Sequence, residues 1–269
     1  MGELSNAVQQ HYSRPILPFI LEQLRLKGIA ESQVRPEDLY PYDQSHAGGI
    51  AATRMLAELA GIGADALVID IGCGFGSAAR LLHEERRCRV VGVDLTPSRI
   101  ETAVQLTRLV RLQSGVSFTV GSALSVPIAS GSADAVWTQH VTMNVPDHAA
   151  LIGECVRLLK PTGRLASHEW LRLTPGPLPY PVPWAPTPSL NHAIEAERFL
   201  ALLREYGFKP STQEVTEAMC AALESDALRF EQLHQPAERI AALRNLVRAA
   251  RDGLLGCFFI VAGRGKPES

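Results

Sequence analysis

The sequence predicts an α/β fold, a three-layer sandwich around a seven-stranded, mostly parallel sheet with an antiparallel last strand and a helical cap. Two patterns support this prediction. From Leu67 onward, short apolar runs alternate with amphipathic segments, which is typical of βαβ units in a sheet buried on both faces. Near the C-terminus, a helical insertion at 217–252 joins two strand-like runs, so the last strand enters the sheet from the opposite end.

The chain divides into four predicted parts. Helical periodicity with glycine stop signals predicts an N-terminal helical lid over 1–62, and alternating strands and helices predict a core over 63–170. The segment 171–191 is too rich in proline for regular structure and is expected to be an extended loop. Residues 192–269 complete the sheet and carry the insertion. The predicted strands are 67–71, 89–93, 117–120, 135–138, 163–168, 209–215 and 255–262.

Composition narrows the possible partners and compartments. The formal net charge of −2 over 269 residues gives no basic excess for nucleic acid, so a small-molecule partner is expected. No basic segment leads into a long apolar run, so neither a signal peptide nor a membrane span is expected. The five widely spaced cysteines form no CxxC pair and favour reduced thiols in a cytoplasm. Monomer and homodimer both stay open.

A glycine-rich turn follows the first predicted strand, in the run Asp70-Ile71-Gly72-Cys73-Gly74-Phe75-Gly76. Ligands of open α/β sheets bind at such a turn, where a helix N-terminus directs free N–H groups toward an anion. Eighteen residues after the turn, the next strand ends in Asp94, whose carboxylate can accept hydrogen bonds from both ribose hydroxyls. Turn and acid together predict an adenosine-containing ligand, and a nicotinamide dehydrogenase would share both.

The wider pattern resembles the class I, Rossmann-like methyltransferases that depend on S-adenosylmethionine. The matching features are Asp70 before a GxGxG turn, Asp94, the triplet Gly121-Ser122-Ala123, the segment 158–165 and the turn Gly207-Phe208. The resemblance covers about 40–263 and is closest to a small-molecule branch of N-, C- and O-methyltransferases. It implies methyl transfer from S-adenosylmethionine to a small acceptor at oxygen, nitrogen or carbon. The alternatives are a nicotinamide-dependent oxidoreductase and a family member that keeps the cofactor without methylating.

The resemblance also implies a set of cofactor-binding residues. The segment 43–49 would close over the cofactor, with Gln44 and His46 either touching the methionine carboxylate or only capping a helix. Ser122 stands where the family often has an Asp that binds the adenine amine, so backbone contacts to adenine are expected. The residues expected to bind the cofactor are Gln44, His46, Asp70, Gly72, Cys73, Gly74, Gly76, Asp94, Leu95, Ser122, Ala123 and Gln139.

Three residues are candidates for catalysis. Methyl transfer needs a general base only when the nucleophile carries a proton. His140 follows the fourth strand at the ligand-binding edge and is the expected base, although it could instead bond the cofactor or a loop carbonyl. Glu169 matches by spacing a catalytic Asp of related O-methyltransferases, and strand alternation sends its neighbour His168 to the opposite face. These three residues lack close ligand spacing, so no metal is expected.

One helix of the C-terminal insertion is rich in arginine. Its members are Arg239, Arg244, Arg248 and Arg251. Such a row could bind an acidic substrate or form a solvated helix face, because long basic side chains readily keep their charge in water.

Overall fold

A mixed sheet forms the centre of the molecule, and a computed structural model describes it within residues 3–264. Its strands are β1 Leu67–Ile71, β2 Arg89–Asp94, β3 Val116–Val120, β4 Ala133–Gln139, β5 Leu159–Arg172, β6 Phe208–Glu214 and β7 Leu255–Arg264. The order across the sheet is β3-β2-β1-β4-β5-β7-β6. The first five strands are parallel, and β7 runs antiparallel to both β5 and β6. The predicted seven-stranded sheet with an antiparallel last strand is confirmed.

Helices cover both faces of the sheet. They are α1 Glu3–Tyr12, α2 Leu17–Leu26, α3 Pro36–Asp43, α4 Gly49–Leu59, α5 Ser77–Arg86, α6 Pro97–Leu109, α7 His148–Leu158, α8 Ala196–Glu205, α9 Thr216–Gln232 and α10 Ala237–Arg251. On one face, Trp137 shares an apolar core with Leu56 of α4 and Leu246 of α10. On the other face, Ile152 of α7 and Leu203 of α8 belong to a second core. Burial of these apolar side chains holds the three layers together.

The N-terminal region contains two helices that periodicity did not indicate, α1 and α3. Helix α1 carries little apolar surface and is held by tertiary hydrogen bonds instead. The amide of Gln9 donates to the Leu95 carbonyl over 2.8 Å, and the Tyr12 hydroxyl donates to the Asn144 side chain over 3.1 Å. Long-range bonds of this kind leave no periodic signal in the sequence. The division of the chain into lid, core, loop and C-terminal part stays a prediction.

The cap combines the insertion with the proline-rich segment. Helices α9 and α10 pack on each other and against β7. Between Arg172 and Ala196 the chain has no regular strand or α-helix, and the Asn245 side chain of α10 donates to the Pro181 carbonyl over 2.9 Å. Strand β5 extends beyond its predicted end at His168 because it continues to pair with β7 as far as Arg172 and Leu255. Within 3–264, no helix has the length and apolar character of a membrane span.

Candidate cofactor and acceptor site

The glycine turn after β1 needs glycine for both conformation and space. Gly72 has φ +71°, and a Cβ atom there would lie 2.6 Å from Cγ2 of Val141. Gly76 has φ +75°, and a Cβ atom there would lie 2.4 Å from Cζ of Phe118. The Gly72 amide donates to the Val93 carbonyl over 2.7 Å, which fixes the turn to the end of β2. The turn is therefore packed closely against Val141 and Phe118 and has no room for a side chain at Gly72 or Gly76.

Asp94 joins the end of β2 to this turn. One carboxylate oxygen accepts from the Gly74 amide over 2.9 Å, and the other accepts from the Thr96 amide over 2.8 Å. The residue also lines a large cavity above the sheet edge. Each carboxylate oxygen can accept a further hydrogen bond. The geometry thus fits the pair of ribose hydroxyls expected for Asp94.

Asp70 is buried and lines a small cavity of about 30 Å³ that residues of the glycine turn also line. Its Oδ2 atom has no hydrogen-bond partner among the described residues. Burial, together with the nearby Asp94 charge, raises the pKa of the Asp70 carboxyl to about 8. Buried carboxyl oxygens are normally hydrogen-bonded, so an open acceptor here fits a cationic or N–H-bearing group of a ligand.

The segment before α4 is anchored by a buried ion pair. Nη2 of Arg80 lies 2.6 Å from Oδ2 of Asp43, and Nη1 of Arg80 donates to the Thr107 hydroxyl over 3.0 Å. This anchor holds Gln44 and His46 against the small and large cavities. Oε1 of Gln44 has no partner among the described residues. Burial lowers the pKa of His46 to about 4, so its ring is neutral and can contribute hydrogen bonds only.

Gln139 lies between the two cavities at the end of β4. Its Oε1 accepts from Nε1 of Trp137 over 2.9 Å and from the Thr53 hydroxyl over 3.2 Å. All the expected cofactor residues except Gly76 line one or both cavities. Those lining residues are Gln44, His46, Asp70, Gly72, Cys73, Gly74, Asp94, Leu95, Ser122, Ala123 and Gln139. Gly76 lies outside both linings and permits the turn into α5.

Arg99 is a lining residue that sequence reasoning missed. Its guanidinium carbon lies 4.3 Å from the ring centre of Tyr12 and 4.7 Å from that of Phe75. Its Nε donates to the Tyr12 carbonyl over 3.2 Å. The residue occupies the first turn of α6, five positions after Asp94, so a search of that turn for basic residues would have found it. Arg99 links the cofactor side of the cavity to helix α1.

The large cavity has a volume of about 630 Å³, within the usual range for small-molecule sites. At the sheet edge it is lined by Asp94 and His140. Under the cap it is lined by Trp184, Phe230 and Leu246. One continuous space therefore connects the expected cofactor site to an apolar chamber beneath α9 and α10.

His140 has an unusual backbone conformation, of a kind often found at functional sites. Its φ of +58° is uncommon for a residue with a side chain, and its amide donates to the His168 carbonyl over 2.8 Å. The ring lines the large cavity, and its Nε2 has no partner among the described residues. Burial and the neighbouring His46 hold the pKa of His140 well below its usual range. The ring is consequently neutral and able to accept a proton.

His168 lies behind His140 and lines neither cavity. The two ring centres are 4.7 Å apart, and Nε2 of His168 lies 3.1 Å from Sγ of Cys257. Donor atoms of His140, His168 and Cys257 all lie within 4.8 Å of one another, a set that could hold a metal ion. Cys257 is a β7 residue whose pairing opposite Trp170 could not be read from the sequence. The expectation of no metal stays a prediction.

Glu169 lies beneath the loop that carries His140 and faces neither cavity. Its Oε2 accepts from the Val141 amide over 2.8 Å, and from the amide and hydroxyl of Thr142 over 3.1 and 3.0 Å. Burial raises the pKa of Glu169 to about 7. The expected position of Glu169 beside the reacting atoms is not what the structure shows, because these bonds turn the carboxylate toward the loop backbone.

The known proteins to which this chain is similar are methyltransferases. Residues 69–167 match the methyltransferase domain family. The 27-O-demethylrifamycin SV methyltransferase of Amycolatopsis mediterranei is 28% identical over 216 residues, or 77% of each chain. Sterol 24-C-methyltransferase of Eremothecium gossypii is 34% identical over 116 residues, which are 43% of this chain and 31% of that protein. The chain thus spans less than a third of the sterol enzyme.

Among solved structures, geranyl diphosphate C-methyltransferase of Streptomyces coelicolor A3(2) has a TM-score of 0.75. The two chains are 19% identical, and the likeness covers 98% of this chain and 99% of that one. At this identity the likeness concerns the fold. It extends over the cap as well as the sheet.

The sheet order and the glycine turn with its two acids define a class I methyltransferase that depends on S-adenosylmethionine. The likeness to the rifamycin and sterol enzymes relates the chain to the small-molecule branch of that family. Its cofactor is S-adenosylmethionine. The nicotinamide-dependent alternative is not favoured, since dinucleotide-binding sheets of the related type end in a parallel sixth strand without an antiparallel β7 inserted beside β5.

Proposed function

We propose that this protein transfers the methyl group of S-adenosylmethionine to a small, largely apolar acceptor. The main observation behind this proposal is the continuous cavity that runs from Asp94 and His140 to the apolar chamber under the cap. An acceptor in that chamber reaches the sheet edge, where the cofactor belongs, without crossing solvent. The names of two relatives, which give a sterol and a rifamycin as acceptors, support an apolar molecule.

We further assign the cofactor contacts from the open hydrogen-bond positions of the site. Asp94 accepts from the ribose hydroxyls, and the unpartnered oxygens of Asp70 and Gln44 accept from the amino group. The backbone around Ser122 and Ala123 lines the region for adenine. When bound, the cofactor supplies an electrophilic methyl group on a sulfonium centre. The neutral His46 adds hydrogen-bonding capacity without charge.

His140 is assigned as the general base. Its free Nε2 is open to accept a proton from a hydroxyl or amine of the acceptor, and the lowered pKa keeps the ring unprotonated at neutral pH. A carbon acceptor needs no such transfer before attack, so the class includes O-, N- and C-methylation. His168 and Glu169 act through His140, one by packing against its ring and the other by holding the following turn.

The setting of the enzyme completes the proposal. All five cysteines are buried free thiols, which supports a reducing compartment such as the cytoplasm. We assign a small-molecule partner, with neither nucleic acid nor membrane, and a monomeric or homodimeric state. No metal enters the proposed reaction.

The test is formation of S-adenosylhomocysteine from S-adenosylmethionine with a panel of apolar alcohols, phenols, amines and enols. We expect turnover with some of them, and His140→Asn to lower kcat by about a hundredfold with unchanged cofactor affinity. Asparagine is chosen because it tolerates the positive φ of this position. His234→Asn is the matched control, since His234 is exposed and also has a positive φ of +50°.

Two results would contradict the proposal. Tight binding of S-adenosylhomocysteine without turnover on any acceptor would favour the family member that keeps the cofactor without methylating. Thermal stabilisation by NAD but not by S-adenosylhomocysteine would refute the assignment of S-adenosylmethionine as the cofactor.

A further inference from the structure

Arg239 of α10 lies in the wall of the large cavity, half-buried under the cap. Its guanidinium carbon lies 4.4 Å from the ring centre of Phe230, and Nη1 donates to Oε1 of Gln235 over 3.2 Å. Three other arginines of the cap helices have acidic partners: Arg229 with Asp226, Arg244 with Glu231 and Arg251 with Glu224. None of the ion pairs formed within 3–264 includes Arg239. A charged side chain is thus held in place by neutral contacts alone.

The charges around Arg239 compensate its own charge only in part. The titratable residues that line the cavity with it are His11, Tyr12, Arg14, His46, Asp94, Arg99, His140, Asp226 and Glu238. Asp226 is engaged by Arg229, with Nη2 and Oδ1 2.8 Å apart. Burial, followed by the charges of Arg14, Arg99 and Arg229, lowers the pKa of Arg239 to about 10, and the opposite charge of Asp226 offsets only part of this lowering.

Two acidic groups remain to be considered. Asp94 lies at the cofactor end of the cavity, where two backbone amides bond its carboxylate. Glu238 precedes Arg239 on α10 and is exposed to solvent. Neither forms an ion pair with Arg239, and the nearby Asp226 is already paired with Arg229, so no carboxylate among the described residues bonds the Arg239 guanidinium directly.

Apolar side chains line the same cavity as Arg239 and His140. Trp184, Leu223 and Leu246 are among them, all with less than a tenth of their surface exposed. A guanidinium beside such side chains is costly to desolvate unless an anion pairs with it. The geometry therefore favours an elongated ligand with an apolar body and a negative end.

We propose that Arg239, assisted by Arg14, binds the anionic group of the methyl acceptor, a carboxylate or phosphate on an otherwise apolar molecule. The inference rests on the proposed function, because it describes another part of the same acceptor cavity. Guanidinium groups suit this task, since their planar N–H groups match carboxylate and phosphate oxygens. The acceptor is then bound at two points, its nucleophile near His140 and its charge near Arg239.

Three probes with one apolar body test the site: decanoate, decyl phosphate and decanol, each titrated calorimetrically into protein saturated with S-adenosylhomocysteine. We expect at least one of the two anions to bind about tenfold more tightly than decanol. Comparison of the two anions identifies the preferred group. Arg239→Gln should abolish the preference, whereas Arg248→Gln should keep it, because Arg248 is an exposed residue of the same helix outside the cavity.

Equal affinity for the three probes, no measurable binding of any, or an unchanged preference in Arg239→Gln would overturn the inference. The affinity for S-adenosylhomocysteine, measured for every variant, shows that each is folded. If Arg239→Gln fails that check, Arg14→Gln replaces it and should reduce the preference, since Arg14 is exposed and outside any helix. The cofactor measurement on the unchanged protein tests the proposed function separately, so the two failures are distinguishable.

Discussion

The Asp94 carboxylate accepts a hydrogen bond from the Gly74 amide over 2.9 Å, so the acid at the end of β2 is fastened to the turn at the end of β1. One residue thereby shapes the glycine turn and faces the proposed ribose position. The cofactor site is pre-organised by this link, because neither group needs to move before binding.

Replacing Asp94 should weaken cofactor binding. Asp94→Ala removes the proposed ribose acceptor and the bond to the turn, so we expect the affinity for S-adenosylhomocysteine to fall about a hundredfold or more. Titration calorimetry measures this, with Glu101→Gln as a control on the exposed face of α6. Glu169→Ala should affect cofactor affinity far less. Equal affinity in the unchanged protein and Asp94→Ala would refute the ribose assignment.

Cofactor binding should release a proton. Because the pKa of Asp70 is raised to about 8, the free protein holds this carboxyl protonated at pH 6.5. The ammonium group of the cofactor favours the ionised form, so affinity should rise with pH between about 6 and 7.5, below the range in which the ammonium itself titrates. Calorimetry in buffers of different ionisation enthalpy should give close to one proton released. Asp70→Asn should abolish the release, and Glu101→Gln should preserve it.

The two substitutions of Glu169 should separate positioning from acid–base catalysis. A glutamine oxygen can still accept from the Val141 and Thr142 amides, so Glu169→Gln should retain most of the turnover rate. Glu169→Ala leaves those buried amides unpaired and should lower both stability and kcat, the latter about tenfold or more. Steady-state kinetics with urea unfolding give the comparison. A loss of activity in Glu169→Gln as large as that in His140→Asn would indicate that Glu169 takes part directly in acid–base catalysis.

The glycine turn should tolerate no side chain at Gly76. An alanine there combines strain at φ +75° with a contact to Phe118, so Gly76→Ala should lower the free energy of unfolding by about 2–4 kcal/mol. Gly63→Ala is the matched control, because nothing lies within 4 Å of its Cβ position. Urea unfolding should show the control close to the unchanged protein. Similar free energies of unfolding for both variants would mean that the Phe118 side chain moves aside at little cost.

Much of the cofactor half could be predicted because its determinants are local. The bounds of β1, Leu67–Ile71, agree with the predicted strand, since its apolar run and the glycine signals after it lie within a few residues of the element. The antiparallel β7 also followed from the chain, because a helical insertion constrains the direction of the next strand. Local pattern and chain connectivity suffice for such features.

The catalytic face was harder to predict. Spacing along β5 identified His168 and Glu169, but this strand is buried on both faces, so alternation could not say which face meets the cavity. The loop after β4 decides the matter by placing His140 over His168 and turning Glu169 toward its backbone. Cys257 reaches the same cluster through the pairing of distant strands, which no local pattern encodes.

Helix α1 lies across the large cavity, bonded at Leu95 on the cofactor side and at Asn144 beside the loop of His140. A methyltransferase must exchange its spent cofactor after every cycle. Exchange by this route requires α1 to detach and return, which breaks and remakes those bonds each time. The opening frequency of this one helix would then set an upper limit on how often the enzyme turns over.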